Sequence, residues 1–177
     1  MKVLNVNIRK VTPDAVIPTY AHVEDNTRAI DEDNLPLDAC FDLTVTEVKY
    51  NRKYDRFDYH FGLQFEVPTG YVMFILPKSR NIKTECYLPN SVGVIDPCYR
   101  GLVMGIYKLR DKETRNNFQE HDDDYIIKHY SPYQIGDDAF QGIILPYPAI
   151  HFNVVDKLSE TARGEGGFGS SNNQVNR

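Results

Sequence analysis

Proline and glycine interrupt this chain every few residues, and that punctuation limits what it can fold into more than any other feature of the sequence. Between the breakers run short β-branched and aromatic stretches, at 41–48, 57–65, 71–76, 92–95, 102–109 and 141–145. These are strand lengths in strand-forming residue types. No window long enough for an ordinary helix carries a 3.6-residue period. Twelve tyrosines and nine phenylalanines strengthen the β reading, since aromatic rings pack well on a pleated surface. Pro68-Thr69-Gly70 reads as a hairpin turn between 62–67 and 71–76, with proline presetting φ and glycine free to take positive φ. The fold predicted is all-β, a sandwich or barrel.

At 177 residues the chain favours one domain with short appendages. A core of that size needs no disulfide or structural metal. The three cysteines, Cys40, Cys86 and Cys98, are odd in number and far apart, which fits reduced thiols. A net charge of −5 argues against nucleic-acid binding, which demands a basic footprint. The apolar runs fall far short of the roughly 18 residues that cross a bilayer, and the first ten residues lack the pattern of a secretory leader. A soluble, cytoplasmic protein is expected.

Three segments depart from the strand pattern. An N-terminal extension, 1–34, contains Asp31-Glu32-Asp33 and reads as a solvated connection. Within the β domain, 35–158, the stretch 111–138 holds eight acidic residues against three basic ones and reads as a solvent-exposed excursion between strands. The last segment, 159–177, is rich in Gly, Ser and Asn and has little to bury, so it reads as a flexible arm.

The arm is nonetheless specific in composition. Arg163-Gly164-Glu165-Gly166-Gly167-Phe168-Gly169-Ser170-Ser171 combines a cation, glycines, an aromatic ring and two hydroxyls. Glycines let consecutive backbone N–H groups converge on phosphate oxygens, and an arginine fork can join them. Phe168 is suited to stacking on a base. In Val94-Ile95-Asp96-Pro97-Cys98-Tyr99, a carboxylate and an aromatic follow an apolar strand, an arrangement suited to a general base. Pro77-Lys78-Ser79-Arg80 sets two cations around a hydroxyl directly after another strand. The five histidines, His22, His60, His121, His129 and His151, show no metal-ligand spacing. Arg100 reads as structural rather than catalytic.

Five segments in this order resemble the five motifs of the homotrimeric all-β dUTP pyrophosphatases, the dUTPases: Asp38-Ala39-Cys40-Phe41-Asp42-Leu43, Pro77-Lys78-Ser79-Arg80, the stretch from Asn90 to Gly101, Ile135-Gly136-Asp137-Asp138-Ala139-Phe140-Gln141, and the arm. The resemblance implies a dUTPase-like β-barrel or distorted jelly roll, assembled as a homotrimer with a mobile arm. It implies hydrolysis of dUTP to dUMP and pyrophosphate with Mg2+ on the triphosphate, which limits uracil incorporation into DNA and supplies dUMP. Asp96 matches the carboxylate that activates water, and Tyr99 the ring beneath the deoxyribose. Asn90 matches the reader of uracil; Ser79 and Gln141 match the groups contacting phosphate and water. Asp42 matches a carboxylate holding magnesium through a water. Arg163, Ser170 and Ser171 match groups on the outer phosphates, and Phe168 the cap over uracil.

The chain departs from the family at several of these places. Cys40 and Cys98 stand where glycine is usual, Lys78 and Asp138 where arginine is usual, and Arg80 where a small residue is usual, beside the phosphate site. Two other readings stay open: a dCTP deaminase-like enzyme of the same fold, and a catalytically weakened, nucleotide-responsive regulatory trimer.

Overall fold

A computed structural model describes residues 3–23, 28, 30, 31 and 33–167. Among these residues ten strands form three antiparallel sheets. The strands are β1 (Asn7–Lys10), β2 (Phe41–Thr44), β3 (Glu47–Asn51), β4 (Arg56–His60), β5 (Leu63–Glu66), β6 (Tyr71–Pro77), β7 (Cys86–Tyr87), β8 (Gly93–Ile95), β9 (Met104–Leu109) and β10 (Asp138–Pro146). One sheet has the order β2-β10-β6-β8, a second β3-β4-β9-β7, and β1 pairs with β5 in a third. The all-β class expected from the sequence is what the chain adopts.

Strand alternation builds the core. In β2, Phe41 and Leu43 point inward while Asp42 and Thr44 stay half-buried, and in β9, Gly105, Tyr107 and Leu109 alternate with more open neighbours. The two large sheets meet through aromatic rings. Tyr107 stacks on Phe140 with centroids 4.5 Å apart, and Tyr59 packs edge-on against Tyr107 at 5.7 Å. Phe140 is fully buried, and truncating such a ring to alanine costs about 3–5 kcal/mol. The phenols in this cluster are satisfied: Tyr107 Oη donates to Ala139 O at 3.1 Å, and Tyr59 Oη lies 2.6 Å from Ser131 Oγ.

Three of the expected strand connections differ from the sequence reading, all for one reason. The stretch 41–48 divides into β2 and β3, and 57–65 divides into β4 and β5, because the chain turns a corner from one sheet to another. At the second corner Gly62 has φ +64°, a conformation that side chains resist. The turn at Pro68-Thr69-Gly70 does form, with Tyr71 N donating to Pro68 O at 3.1 Å and Gly70 at φ +88°. It is no hairpin, however: β5 and β6 lie in different sheets.

The stretch 111–138 is also more than a solvated excursion. It contains α1 (Lys112–Asn116), a 3-10 turn (Asn117–Glu120) and α2 (Asp123–Tyr130). Asp122 caps α2 by accepting from Tyr125 N, Asp123 and Asp124 occupy its first turn, and Lys128 and His129 its last. The acidic run therefore complements a helix dipole. Phe118 and Ile126 are buried anchors. Arg52 of the β3–β4 hairpin donates to Phe118 O and to His121 O (3.3 and 2.6 Å) and pairs with Asp123 at 2.7 Å. Within 1–34, β1 pairs with β5 and Ala15 is buried, so that part belongs to the domain instead of forming a solvated connection. All three cysteines are free. No helix among the described residues is long and apolar enough to cross a membrane.

Candidate functional site

The motif around Asp96 grows out of β8, which occupies an edge of its sheet. Asp96 follows the strand directly and is exposed. Its carbonyl accepts from Tyr99 N at 3.0 Å, closing a turn three residues long between the two. The Tyr99 ring is 43% exposed, its hydroxyl donates to Leu102 O at 3.0 Å, and it folds over Gly101. A Cβ at Gly101 would come within 2.3 Å of the Tyr99 hydroxyl, so only glycine lets the ring lie there. Arg100 fastens the turn. Its Nη1 donates to Pro97 O (2.6 Å) and Tyr99 O (2.9 Å), and its Nη2 pairs with Glu66 at 3.0 Å. Asn90 is exposed in the tight turn before β8, where Val92 N donates to Asn90 O at 2.6 Å and Ser91 takes φ +61°.

A second group gathers where β2, β10 and β6 run side by side. Gln141 of β10 lies opposite Asp42 of β2 on one flank and Leu76 of β6 on the other. Gln141 Nε2 donates to Pro77 O at 2.9 Å. Lys78 Nζ sits 2.5 Å from Asp42 Oδ1, in a pair whose side chains are largely buried. Burial and the neighbouring Asp38 and Asp42 carboxylates push the Cys40 thiol up. Asp38 itself is held below the usual carboxylate range, first by its hydrogen bond with the His22 ring. Ser79 opens the 3-10 turn Ser79–Lys83 and is exposed. Arg80 turns sideways: its guanidinium lies 4.8 Å over the Tyr133 ring and 3.7 Å from Asp137.

Within the chain these groups stand apart. Ile95, next to Asp96, pairs with Met73, whereas Gln141, Lys78 and Ser79 gather around Leu76 and Pro77 at the other end of β6. From Met73 to Pro77 is four strand steps, about 13 Å at 3.3 Å per residue. Arg163 joins neither group; its Nε donates to Gly166 O at 2.8 Å within the arm's own turn. Phe168, Ser170 and Ser171 lie outside the described residues.

The departures at Cys40 and Cys98 impose no backbone strain, since Asp55 and Ser91 are the non-glycine residues with positive φ among those described. Asp138 accepts from Thr44 Oγ1 at 2.6 Å and ties β10 to β2. Gln64 and Glu66, which grip Arg100 and its segment, were not singled out from sequence. Their signal was the alternation of β5, which buries Leu63 and Phe65 and turns the two polar residues to the other face. Among the described residues no three His, Cys, Asp or Glu side chains assemble into a metal-holding group.

No family model matches the chain. A deoxyuridine 5'-triphosphate nucleotidohydrolase of Solibacter usitatus is 31% identical over 169 residues, covering 95% of this chain and 96% of that protein. The chain belongs to the dUTPase family. The corresponding protein of Escherichia phage T5 is 34% identical over 113 residues, 62% of this chain and 64% of the phage protein. Among solved structures, a point mutant of the dUTPase of Staphylococcus bacteriophage 80alpha with dUpNHpp superposes with a TM-score of 0.69 at 20% identity, covering 96% of this chain and 99% of that one. A point mutant of the dUTPase of phage phi11 of S. aureus, described with a coordinated structural Mg(II) ion, gives 0.59 at 18% identity and covers 87% of this chain and 98% of that one. The sheets described above are thus the dUTPase fold.

Proposed function

We propose that the chain hydrolyses dUTP to dUMP and pyrophosphate at a site assembled between copies of itself. The observation that carries this reading is the turn at 96–101, where an exposed carboxylate and an exposed aromatic face sit three residues apart in a fixed arrangement. A base must be held within reach of the proton it takes, and such placement supplies that.

In this reading Asp96 takes a proton from the attacking water. The water oxygen bonds to phosphorus as the bridging P–O bond between the α- and β-phosphates breaks, and pyrophosphate leaves. Tyr99 supports the deoxyribose and excludes a 2′-hydroxyl, while Asn90 reads uracil. Ser79 and Gln141 orient phosphate and water; Gln141 is already anchored through its amide nitrogen on Pro77. Phosphoryl transfer asks the protein mainly for positioning and charge neutralisation. Magnesium on the triphosphate, when bound, supplies part of that neutralisation. The donor set fits a metal that arrives with its substrate: Asp42 is a single carboxylate with one oxygen held by Lys78, enough for a contact through water and too little for a protein cage.

Two features support assembly. Asp96 lies at the opposite end of β6 from Ser79 and Gln141, so a complete site draws on more than one copy. Ile150, Phe152 and Val154 stand exposed at 69%, 83% and 100%, an apolar run of the kind a neighbouring copy covers. A homotrimer, in which 159–177 brings Arg163, Phe168, Ser170 and Ser171 over another copy's site, satisfies both. Such an enzyme would serve the cytoplasmic nucleotide pool, keeping uracil out of DNA and supplying dUMP. Pyrophosphate release from dUTP, dCTP and UTP tests the reading. Release from dUTP alone is expected; release of ammonia from dCTP, or tight dUTP binding without turnover, would replace it with a deaminase or a regulatory trimer.

A further inference from the structure

We propose that Arg100 is a positioning residue for Asp96, acting through a clamp that Gln64 and Glu66 of β5 hold in place and Asn7 of β1 steadies. The inference rests on the dUTP-hydrolysing reading above. Arg100 reaches back over its own turn: Nη1 donates to the carbonyls of Pro97 and Tyr99, at 2.6 and 2.9 Å, and Nη2 pairs with Glu66 at 3.0 Å. Gln64 Nε2 meanwhile donates to the Arg100 carbonyl at 2.7 Å, so backbone and side chain of Arg100 are both held by one face of β5. Asn7 Nδ2 donates to the second Glu66 oxygen at 2.8 Å, and Asn7 lies opposite Glu66 in the β1–β5 register.

Magnitudes separate a positioning role from a stabilising one. The Arg100–Glu66 pair is about half exposed on both sides, and such pairs contribute little to stability. The carbonyls it fixes, however, belong to residues 97 and 99, the links between the carboxylate and the ring. Releasing them lets Asp96 move relative to Tyr99 and to the water it must reach. A displacement of about 1 Å at such a group lowers rate by about a hundredfold. Lysine cannot substitute fully, because a single ammonium lacks the planar fork that spans carbonyls and carboxylate together.

The test compares kcat and KM for dUTP in wild type, Arg100→Ala, Arg100→Lys and Glu66→Gln, with assembly checked by sedimentation. Arg100→Ala is expected to lower kcat about ten- to hundredfold with KM little changed, Arg100→Lys to recover part of the loss, and Glu66→Gln to lose less than Arg100→Ala. If Arg100 acts through Asp96, Arg100→Ala costs less in an Asp96→Glu background, where the carboxylate is already displaced, than in the wild type. Wild-type kcat in assembled Arg100→Ala, a change confined to KM, or full additivity with Asp96→Glu would overturn the proposal. Should Arg100→Ala fail to assemble, unchanged kcat in both Arg100→Lys and Glu66→Gln overturns it instead. A wild-type chain without turnover removes the dUTP reading and this one together, whereas a normal variant in an active background removes this one alone.

Discussion

The turn at 96–101 and the segment at 147–167 both carry residues assigned to one reaction, yet they are built in opposite ways. The turn ties its backbone into β5 through Arg100 and Gln64 and packs Tyr99 over Gly101. The C-terminal segment forms no strand, exposes Ile150, Phe152, Val154 and Leu158, and spends an Arg163 donor on its own Gly166 carbonyl. A group that must hold a reacting water is placed before substrate arrives, so that no ordering is needed at the moment of reaction. A group that covers the substrate must let it in and out, and its ordering is deferred to binding.

The largest effect should come from the prearranged side. Asp96→Asn is expected to abolish pyrophosphate release while analogue affinity stays within about tenfold, or roughly 1.4 kcal/mol. An amide keeps the hydrogen-bonding shape but cannot take water's proton. Near-normal turnover would remove Asp96 from its role and, with it, the distinction between the two regions.

Ending the chain after Leu158 tests the deferred side. A folded trimer with little activity is expected, since closure completes phosphate neutralisation and excludes water. Mixed trimers sharpen the result: arm-less subunits with Asp96 intact, combined with full-length Asp96→Asn subunits, should regain activity because an arm from one copy closes over the base of another. Co-assembled trimers no better than either parent would show that arms serve their own subunit.

A smaller change is expected at Tyr99. Tyr99→Ala should reduce the preference for dUTP over UTP by about tenfold or more, because a wall against one added hydroxyl discriminates by no more than about a hundredfold. The measurement is the ratio of kcat/KM for the two nucleotides, and an unchanged ratio would reassign the ring to folding of the turn over Gly101.

The same contrast explains what could be read in advance. Strand runs such as 71–76 and 102–109 announce themselves by residue type and alternation, and β6 and β9 stand there. The corners at 45–46 and Gly62 did not, because a sheet change depends on which partner each half finds. The α2 helix was hidden by its eight-residue length, too short for a periodic signal, although the cap at Asp122 was written in the acidic run. Motif residues such as Asp96 and Ser79 were legible by resemblance. What they touch was not: Lys78 finds Asp42, 36 residues away, and Arg80 finds Tyr133 and Asp137 across the sheet. Such pairings depend on register and side-chain reach, which no local pattern encodes.

The smallest expected effect concerns the charge that holds the prearranged turn. Hydrogen bonds from Asn7 first, then from Arg100, keep the Glu66 carboxyl below its ordinary value. A depressed carboxyl contributes to folding above its unfolded value, about 4.3 for glutamate, and that contribution is lost as pH falls through the folded value. Because Glu66 is exposed, the stability change should be slight and screened by salt, but the titration itself is readable. Carboxyl NMR should show Glu66 titrating below an unperturbed glutamate in the wild type and moving upward in Arg100→Ala, with a smaller upward move in Asn7→Ala if the arginine charge matters more than the amide. The reverse order would mean that β1 sets the glutamate and Arg100 merely meets it, leaving the turn fastened chiefly by its carbonyl contacts. No movement in either variant would mean that the clamp is not closed in solution, and the turn at 96–101 would then need substrate to order it.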